Sequence, residues 1–291
     1  MKKLFLPVFD FLLFSNIFMA LCAVAQGLVT FQLIHAKPDS TTLCLLFAST
    51  LGTYNFCILI AKQKHPQDSP YIRVRWYYRH YRLVVSLTIV SLLSLVPLFF
   101  LVSMESRVLL IFLSALSFGY GLPLFMVGDQ KFGLRNIPGL KQLLITLVWT
   151  MSCVLLPILQ AEHLHLAQIS LKETTELIAK QFLFYGALTI LFDIRDLYDD
   201  TKTGLKTIPV AWGEKNAYIF CQVALAGYLL LLLIFRKDGF DNNFYALAIT
   251  IVITAWLVFK SKWEKNEYYY FFFIDGILIM QYLLLLAFKY V

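Results

Sequence analysis

The stretch LTILFDIRDLYDDTKTGLKTIPV, Leu188 to Val210, begins apolar and then crowds Asp193, Asp196, Asp199 and Asp200 ahead of a Lys- and Thr-rich segment. Its apolar head closes a block of roughly twenty residues, the length that crosses about 30 Å of hydrocarbon as a helix. The carboxylates therefore fall where such a helix meets water. The rest of the chain repeats the design. Of 291 residues, 59% are hydrophobic and only 15% charged, and the mean hydropathy is +0.71, well beyond a soluble domain. The apolar blocks are continuous rather than alternating, so the spanning element is the helix and not the barrel strand.

Nine spans are predicted, over 11–34, 41–61, 83–102, 107–126, 141–160, 174–193, 217–235, 243–260 and 268–288. No linker, composition shift or repeat divides them, which predicts an all-α integral membrane protein with a single polytopic domain over 1–291. The start, MKKLFLPVFDFLLFSNIFMALCAVAQG, imitates a signal peptide. Asp10 and Asn16 interrupt its apolar core, however, and apolar sequence continues to Ile34, so it is read as a retained first span. Lys and Arg on the side of the N-terminus outnumber those on the opposite side three to one. That asymmetry predicts a cytoplasmic N-terminus, and the expected setting is a bacterial inner membrane.

The net charge of +7 sits between apolar blocks. Cations placed there orient the chain and meet anionic headgroups, so membrane lipids are the expected partner of this charge and nucleic acid is not. Cys22, Cys44, Cys57, Cys153 and Cys221 all lie in apolar blocks without a CxxC pair and read as small buried hydrophobes. His163 and His165 have no partner at zinc-ligand spacing. Asp275, Asn16, Gln26 and Lys180 are polar residues inside spans, where an ionisable group is a functional candidate and an amide commonly bonds between helices.

Asp193, Asp196 and Asp200 are spaced i, i+3, i+7, one stripe of a continued helix, whereas Asp199 points elsewhere. Like charges about 4 Å apart repel by about 4 kcal/mol at an effective dielectric near 20. Two readings meet that cost. The carboxylates are solvated and paired with Arg195, Lys202 and Lys206, or they hold a divalent cation. An all-oxygen set suits Mg²⁺ shared with a phosphate, for which Lys202 and Lys206 are natural partners.

The run DIRDLYDDTKTGLKTIPVAWG resembles the second aspartate-rich signature of the UbiA superfamily of intramembrane prenyltransferases. There a DxxDxxxD run leads into a segment reading roughly K-x-G-x-K-T-x-P. Asp193, Asp196 and Asp200 match the aspartates, and Lys202, Gly204, Lys206, Thr207 and Pro209 follow in step. The resemblance implies nine helices around a central cavity, with acidic motifs after the second and sixth. The segment from Tyr120 through Lys131 and Arg135 to Lys141 resembles the family's connection between the fourth and fifth helices, which implies Tyr120, Arg135 and Lys141 as diphosphate-binding residues.

The family's first signature, NDxxDxxxD, is not reproduced. Asn55 fits, but Phe56, Leu59 and Gln63 stand where aspartates belong. Six cations follow in the same loop, Lys62, Lys64, Arg73, Arg75, Arg79 and Arg82, able to meet phosphate oxygens directly or merely to orient the chain. The resemblance thus implies a Mg²⁺-dependent enzyme that moves a prenyl or polyprenyl group from its diphosphate to an aromatic or other lipid acceptor. Asp193, Asp196 and Asp200 would be its catalytic and metal-binding residues, and Asn55, Lys202 and Lys206 would bind diphosphate. The alternative is a degenerate relative that binds an isoprenoid diphosphate without turnover.

Overall fold

The computed structural model describes residues 2–60, 66–121, 125–127, 130–132, 137, 139–202, 204–236, 239–264 and 266–290. In chain order the helices are α1 (Lys2–Phe14), α2 (Ile17–Leu33), α3 (Ser40–Ile60), α4 (Ile72–Arg79), α5 (Tyr81–Leu101), α6 (Met104–Gly121), α7 (Leu140–Thr150), α8 (Leu156–His163), α9 (Leu171–Arg195), α10 (Leu197–Lys202), α11 (Ile208–Trp212), α12 (Glu214–Ile234), α13 (Asn242–Lys260) and α14 (Asp275–Phe288). The strands β1 (Phe125–Val127) and β2 (Gln130–Phe132) form one short antiparallel hairpin, with Phe125 opposite Phe132.

Every predicted span is largely helical among the described residues, and four differ in instructive ways. The first is broken. Asn16 sits in the left-handed region (φ 65°) and α1 meets α2 at 61°. Such a break strands backbone groups that lipid cannot satisfy. Asn55 repairs it: its Nδ2 donates to the Ser15 carbonyl at 3.1 Å while its Oδ1 accepts from Asn16 Nδ2 at 2.7 Å. The predicted span 107–126 is helical only to Gly121, and Phe125–Val127 pairs as a strand. Seven helices are long and apolar enough to cross a membrane, and the bent pair makes an eighth, so the predicted count of nine is not reached by length and composition among the described residues.

The span 141–160 carries a π-helical turn, Met151–Leu155, between α7 and α8. Its cause is Pro157. A proline inside a helix donates no hydrogen bond and crowds the carbonyl four residues back, here that of Cys153. Thr30 Oγ1 of α2 donates to that freed carbonyl at 2.7 Å. A second π-helical turn, Tyr269–Ile274, precedes α14, and α2 again supplies side chains, with Cys22 Sγ donating to the Asp275 carbonyl at 3.2 Å and Gln26 Nε2 to that of Leu278 at 2.7 Å. Helix α2 is thus the polar spine of the bundle. Around it Phe184, Leu191, Leu225, Tyr228 and Leu247 pack as core, while Val90, Leu93, Phe100 and Ile111 on α5 and α6 face outward, as a lipid-facing wall requires.

Candidate functional site

Helix α9 starts at a capping box, Ser170 with Glu173, and runs 25 residues to Arg195. At Asp196 (φ −90°, ψ 6°) the backbone leaves helical geometry and α10 restarts one residue later. The Asp200 carbonyl then accepts Leu205 N–H at 2.9 Å around Gly204, whose φ of 70° suits glycine. This punctuation sorts the predicted carboxylate stripe into two groups.

In the first group, Asp193 and Asp200 converge on Lys141 Nζ from α7, at 2.6 and 3.3 Å. Both carboxylates are buried, at 3% and 6% exposure, and Asp193 Oδ2 is buried without a hydrogen-bond partner. Burial pushes the Asp200 carboxyl above its ordinary range, with Lys141 opposing and Asp196 adding to the rise. Lys141 is held in place through Gly139, φ 72°, whose N–H reaches the Lys206 carbonyl at 3.3 Å.

Asp196 belongs to the second group. Its two oxygens take Arg195 Nε and Nη2 at 2.7 and 2.9 Å in a bidentate pair. Burial raises its carboxyl, but Arg195, with Lys141 and Arg73 beyond it, outweighs burial and holds it below the usual range. Arg195 and Arg73 stack on one ring, Phe271, at 4.9 and 4.8 Å. Arg195 Nη1 is buried and unpartnered. Burial first, and then repulsion from Arg195, pull the Arg73 guanidinium below its ordinary value. Arg73 Nη2 donates to Asn16 Oδ1 at 3.2 Å, and the start of α4 is fixed by Glu267, whose oxygens accept Ile72 N–H and Arg73 N–H at 2.7 and 3.1 Å. Two cations with one carboxylate between them make an anion-attracting corner.

Asp199 turns away, accepting from Tyr71 Oη at 2.7 Å, and burial followed by that bond raises the Tyr71 phenol. Lys202 and Lys206 are exposed, Lys202 lying 4.1 Å over the Tyr198 ring. Asn55 is fully buried with both ends of its amide engaged at the helix break, so it reaches the site only through Asn16 and Arg73. The Tyr120 side chain and Arg135 lie outside the described residues. Sequence reasoning did not single out Arg73 from its five neighbouring cations or foresee the Arg195–Arg73 corner. No local pattern distinguishes Arg73, because what selects it is Asn16, Phe271 and Glu267, all remote in the chain.

Asp193, Asp196 and Asp200 do not form one cluster, and among the described residues no group of three or more His, Cys, Asp or Glu is placed to hold a metal ion. The donor set nonetheless fits Mg²⁺, which is commonly held by one or two carboxylates with water and phosphate. Asp193 and Asp200 already converge on one cation and leave a buried oxygen unsatisfied. On the same helix as Lys141, Leu144 and Trp149 line an apolar cavity of about 200 Å³ between α3, α6 and α7, with Thr53, Tyr54, Cys57 and Leu116. Trp149 Nε1 donates to Tyr54 Oη there at 3.1 Å.

A model of the UbiA prenyltransferase family matches residues 78–277, beginning after the stretch where the first aspartate-rich signature fails. No curated protein matches the sequence significantly. Among solved structures, a UbiA homolog from Archaeoglobus fulgidus bound to DMAPP and Mg²⁺ superposes with a TM-score of 0.63 at 12% identity, covering 96% of this chain and 99% of that one. The same homolog bound to GPP and Mg²⁺ gives 0.61 at 12% identity over 97% and 100%, and bound to Cd²⁺ 0.59 at 13% over 97% and 100%. At that identity the likeness speaks for the fold alone, and the family match, over more than half of the sequence, carries the assignment: the chain belongs to the UbiA prenyltransferase family.

Proposed function

We propose that the protein is a Mg²⁺-dependent prenyltransferase that moves a prenyl group from its diphosphate to an aromatic or other lipid acceptor within the membrane. The observation that carries this is the convergence of buried Asp193 and Asp200 on Lys141, beside the Arg73–Arg195 corner and on the helix whose following turns line an apolar cavity. Asp193 and Asp200 would hold the ion, and Lys141, their present counter-ion, would then turn to phosphate oxygen. Bound Mg²⁺ would supply positive charge to the diphosphate as the allylic C–O bond breaks.

The remaining work falls to the chain. As the electron pair of that bond leaves with the diphosphate oxygen, the guanidiniums of Arg73 and Arg195 stabilise the growing negative charge. Asp196 holds Arg195 in orientation, and Asn55 acts through Asn16 on Arg73. The rings of Tyr54 and Trp149 face the cavity where an allylic cation would form, and their π faces favour it. Lys202 and Lys206, exposed at the rim, would draw the anionic substrate in from the cytoplasmic side, with Tyr120 and Arg135 assigned to the same pocket by family resemblance.

Membranes carrying the protein, supplied with labelled DMAPP, GPP and longer prenyl diphosphates, acceptors and Mg²⁺, test the reading. Mg²⁺-dependent release of diphosphate or a labelled lipid that Asp193→Asn does not make is the expected outcome. The second reading, binding without turnover, is favoured by the apolar residues at the first signature. It predicts saturable Mg²⁺-dependent binding and no product, and turnover indifferent to Asp193→Asn and Asp200→Asn would sink the site assignment.

A further inference from the structure

Another cavity lies on the lipid-facing side of α12, across that helix from α9. Helix α12 turns Ala217, Cys221 and Tyr228 inward, with Cys221 Sγ donating to the Ala187 carbonyl of α9 at 3.3 Å. Its opposite face, with Ile219 and Val223, is exposed. Between that face and α13 is a groove of about 580 Å³, walled by Tyr218, Ile219, Val223 and Ala226 on one side and by Ala255 and Phe259 on the other. Two ties join the walls. Gln222 Nε2 donates to the Ala255 carbonyl at 3.0 Å at the deep end, and Ser261 Oγ lies 3.4 Å from Tyr218 Oη at the shallow end.

Length and charge decide what fits. From Lys215 to Ala226, where the lining ends, α12 rises roughly 16 Å, about half of the roughly 30 Å of hydrocarbon, so the groove is one leaflet deep. A helix of a second protein would need a seam across both leaflets. At the mouth stand Lys215 of α12 and Lys262 of the short 3₁₀ turn Ser261–Trp263, both exposed. Lys262 Nζ leans over the Tyr218 and Phe259 rings, 5.2 and 5.1 Å from their centroids. Neither ammonium has a carboxylate at salt-bridge distance among the described residues: Glu264 is taken by Lys260 at 3.6 Å, and Glu214 precedes Lys215 on the helix, where residues one apart do not face each other. Trp212 and Trp263, both exposed, flank the two lysines in the chain and mark the headgroup level, where indole rings settle. An apolar slot one leaflet deep beneath two unpaired ammoniums matches an amphiphile with a net negative head. A zwitterionic head would bring its own ammonium beside two others.

We propose that the α12–α13 groove is a specific site for one anionic glycerophospholipid of the leaflet at which α9 ends, with its phosphate between Lys215 and Lys262 and an acyl chain along Val223 and Ala226. The site is independent of the prenyl-transfer reading.

The test is native mass spectrometry of the full chain in detergent, titrated with dioleoylphosphatidylglycerol or dioleoylphosphatidylcholine. The first phosphatidylglycerol is expected to bind about ten-fold or more tighter than the first phosphatidylcholine. Joint Lys215→Gln and Lys262→Gln should weaken it about thirty-fold, the scale of two lysines at an anionic headgroup. The charge-matched pair Arg79→Gln and Arg82→Gln, exposed cations at the junction of α4 and α5, should change it less than about two-fold. Ala226→Phe, which fills the slot and leaves the charge alone, should also weaken it about ten-fold or more. Phosphatidylglycerol with a diazirine in its acyl chain should label wild-type peptides spanning 219–226 and 255–259, which decides the site even where a variant fails to fold. No preference for phosphatidylglycerol, equal losses in the lysine and arginine pairs, or label spread evenly over α5 and α6 overturns the proposal. So does a lipid-free dimer that Ala226→Phe dissociates, which would give the groove to a second copy of the chain.

Discussion

The ends of α3 and α9 face the same corner with opposite chemistry. Helix α9 and the short α10 that follows it carry Asp193, Asp196 and Asp200, whereas α3 finishes in Asn55, Phe56, Cys57, Ile58, Leu59 and Ile60. Where carboxylates are missing, a cation arrives: Arg73, reaching from α4 onto Asn16 and Phe271. A diphosphate needs positive charge from every side it presents. On the proposed reading, one side provides it through an ion held by carboxylates and the other by a guanidinium in direct contact. The comparison teaches that an absent acidic signature need not empty its half of the pocket, provided a residue elsewhere supplies the charge the metal would have brought.

The comparison breaks most easily at its acidic half. Asp193→Asn or Asp200→Asn should lower Mg²⁺-dependent turnover roughly 100-fold or more, the scale of one lost electrostatic stabiliser, read as initial rates of diphosphate release. A drop equally deep on chelating Mg²⁺ in the wild type should accompany it. At the other half, Arg73→Ala should weaken binding of a prenyl diphosphate by about ten- to a hundred-fold, the worth of a charge-assisted hydrogen bond. Arg73→Lys should recover only part of this, since an ammonium keeps the charge but not the fork. Equilibrium binding with labelled geranyl diphosphate decides it, and an unchanged affinity would leave α3 without a cationic substitute.

Asn55→Ala sharpens the contrast by asking what remains of the first signature. It should cost about 1–3 kcal/mol of stability in thermal unfolding, because a buried amide that ties the Ser15 carbonyl and Asn16 is lost. Its effect on diphosphate affinity should be smaller than that of Arg73→Ala. The smallest change is expected for Tyr71→Phe, about 1 kcal/mol at most, since the Tyr71–Asp199 bond lies on a partly exposed surface. A large catalytic loss there would mean that Asp199, and not only its neighbours, serves the site.

Apolar block length sufficed to place the helices, because a membrane demands it, and the DxxDxxxD run was legible at the end of the sixth span. What the sequence hid was long-range. The i, i+3, i+7 spacing promised one stripe, but the backbone turns at Asp196 and hands that carboxylate to Arg195, leaving Asp193 and Asp200 together. Lys141 was expected from family resemblance as a diphosphate-binding residue, and its pairing with those two carboxylates was not foreseen. The break at Asn16 was unreadable because an asparagine in the left-handed region pays off only when Asn55, 39 residues on, receives its amide.

The proline-made turn before α8 also bears on how the protein is built. A carbonyl that its own helix cannot satisfy would be stranded in lipid if that hairpin left the translocation machinery alone. Thr30 is synthesised well before Pro157, so its hydroxyl already waits in the bilayer when the Cys153 carbonyl is released. Chain order thus lets the early helix supply a donor that the later one lacks, and a Thr30→Val chain should reach a lower steady-state level in the membrane, read by immunoblot against the wild type.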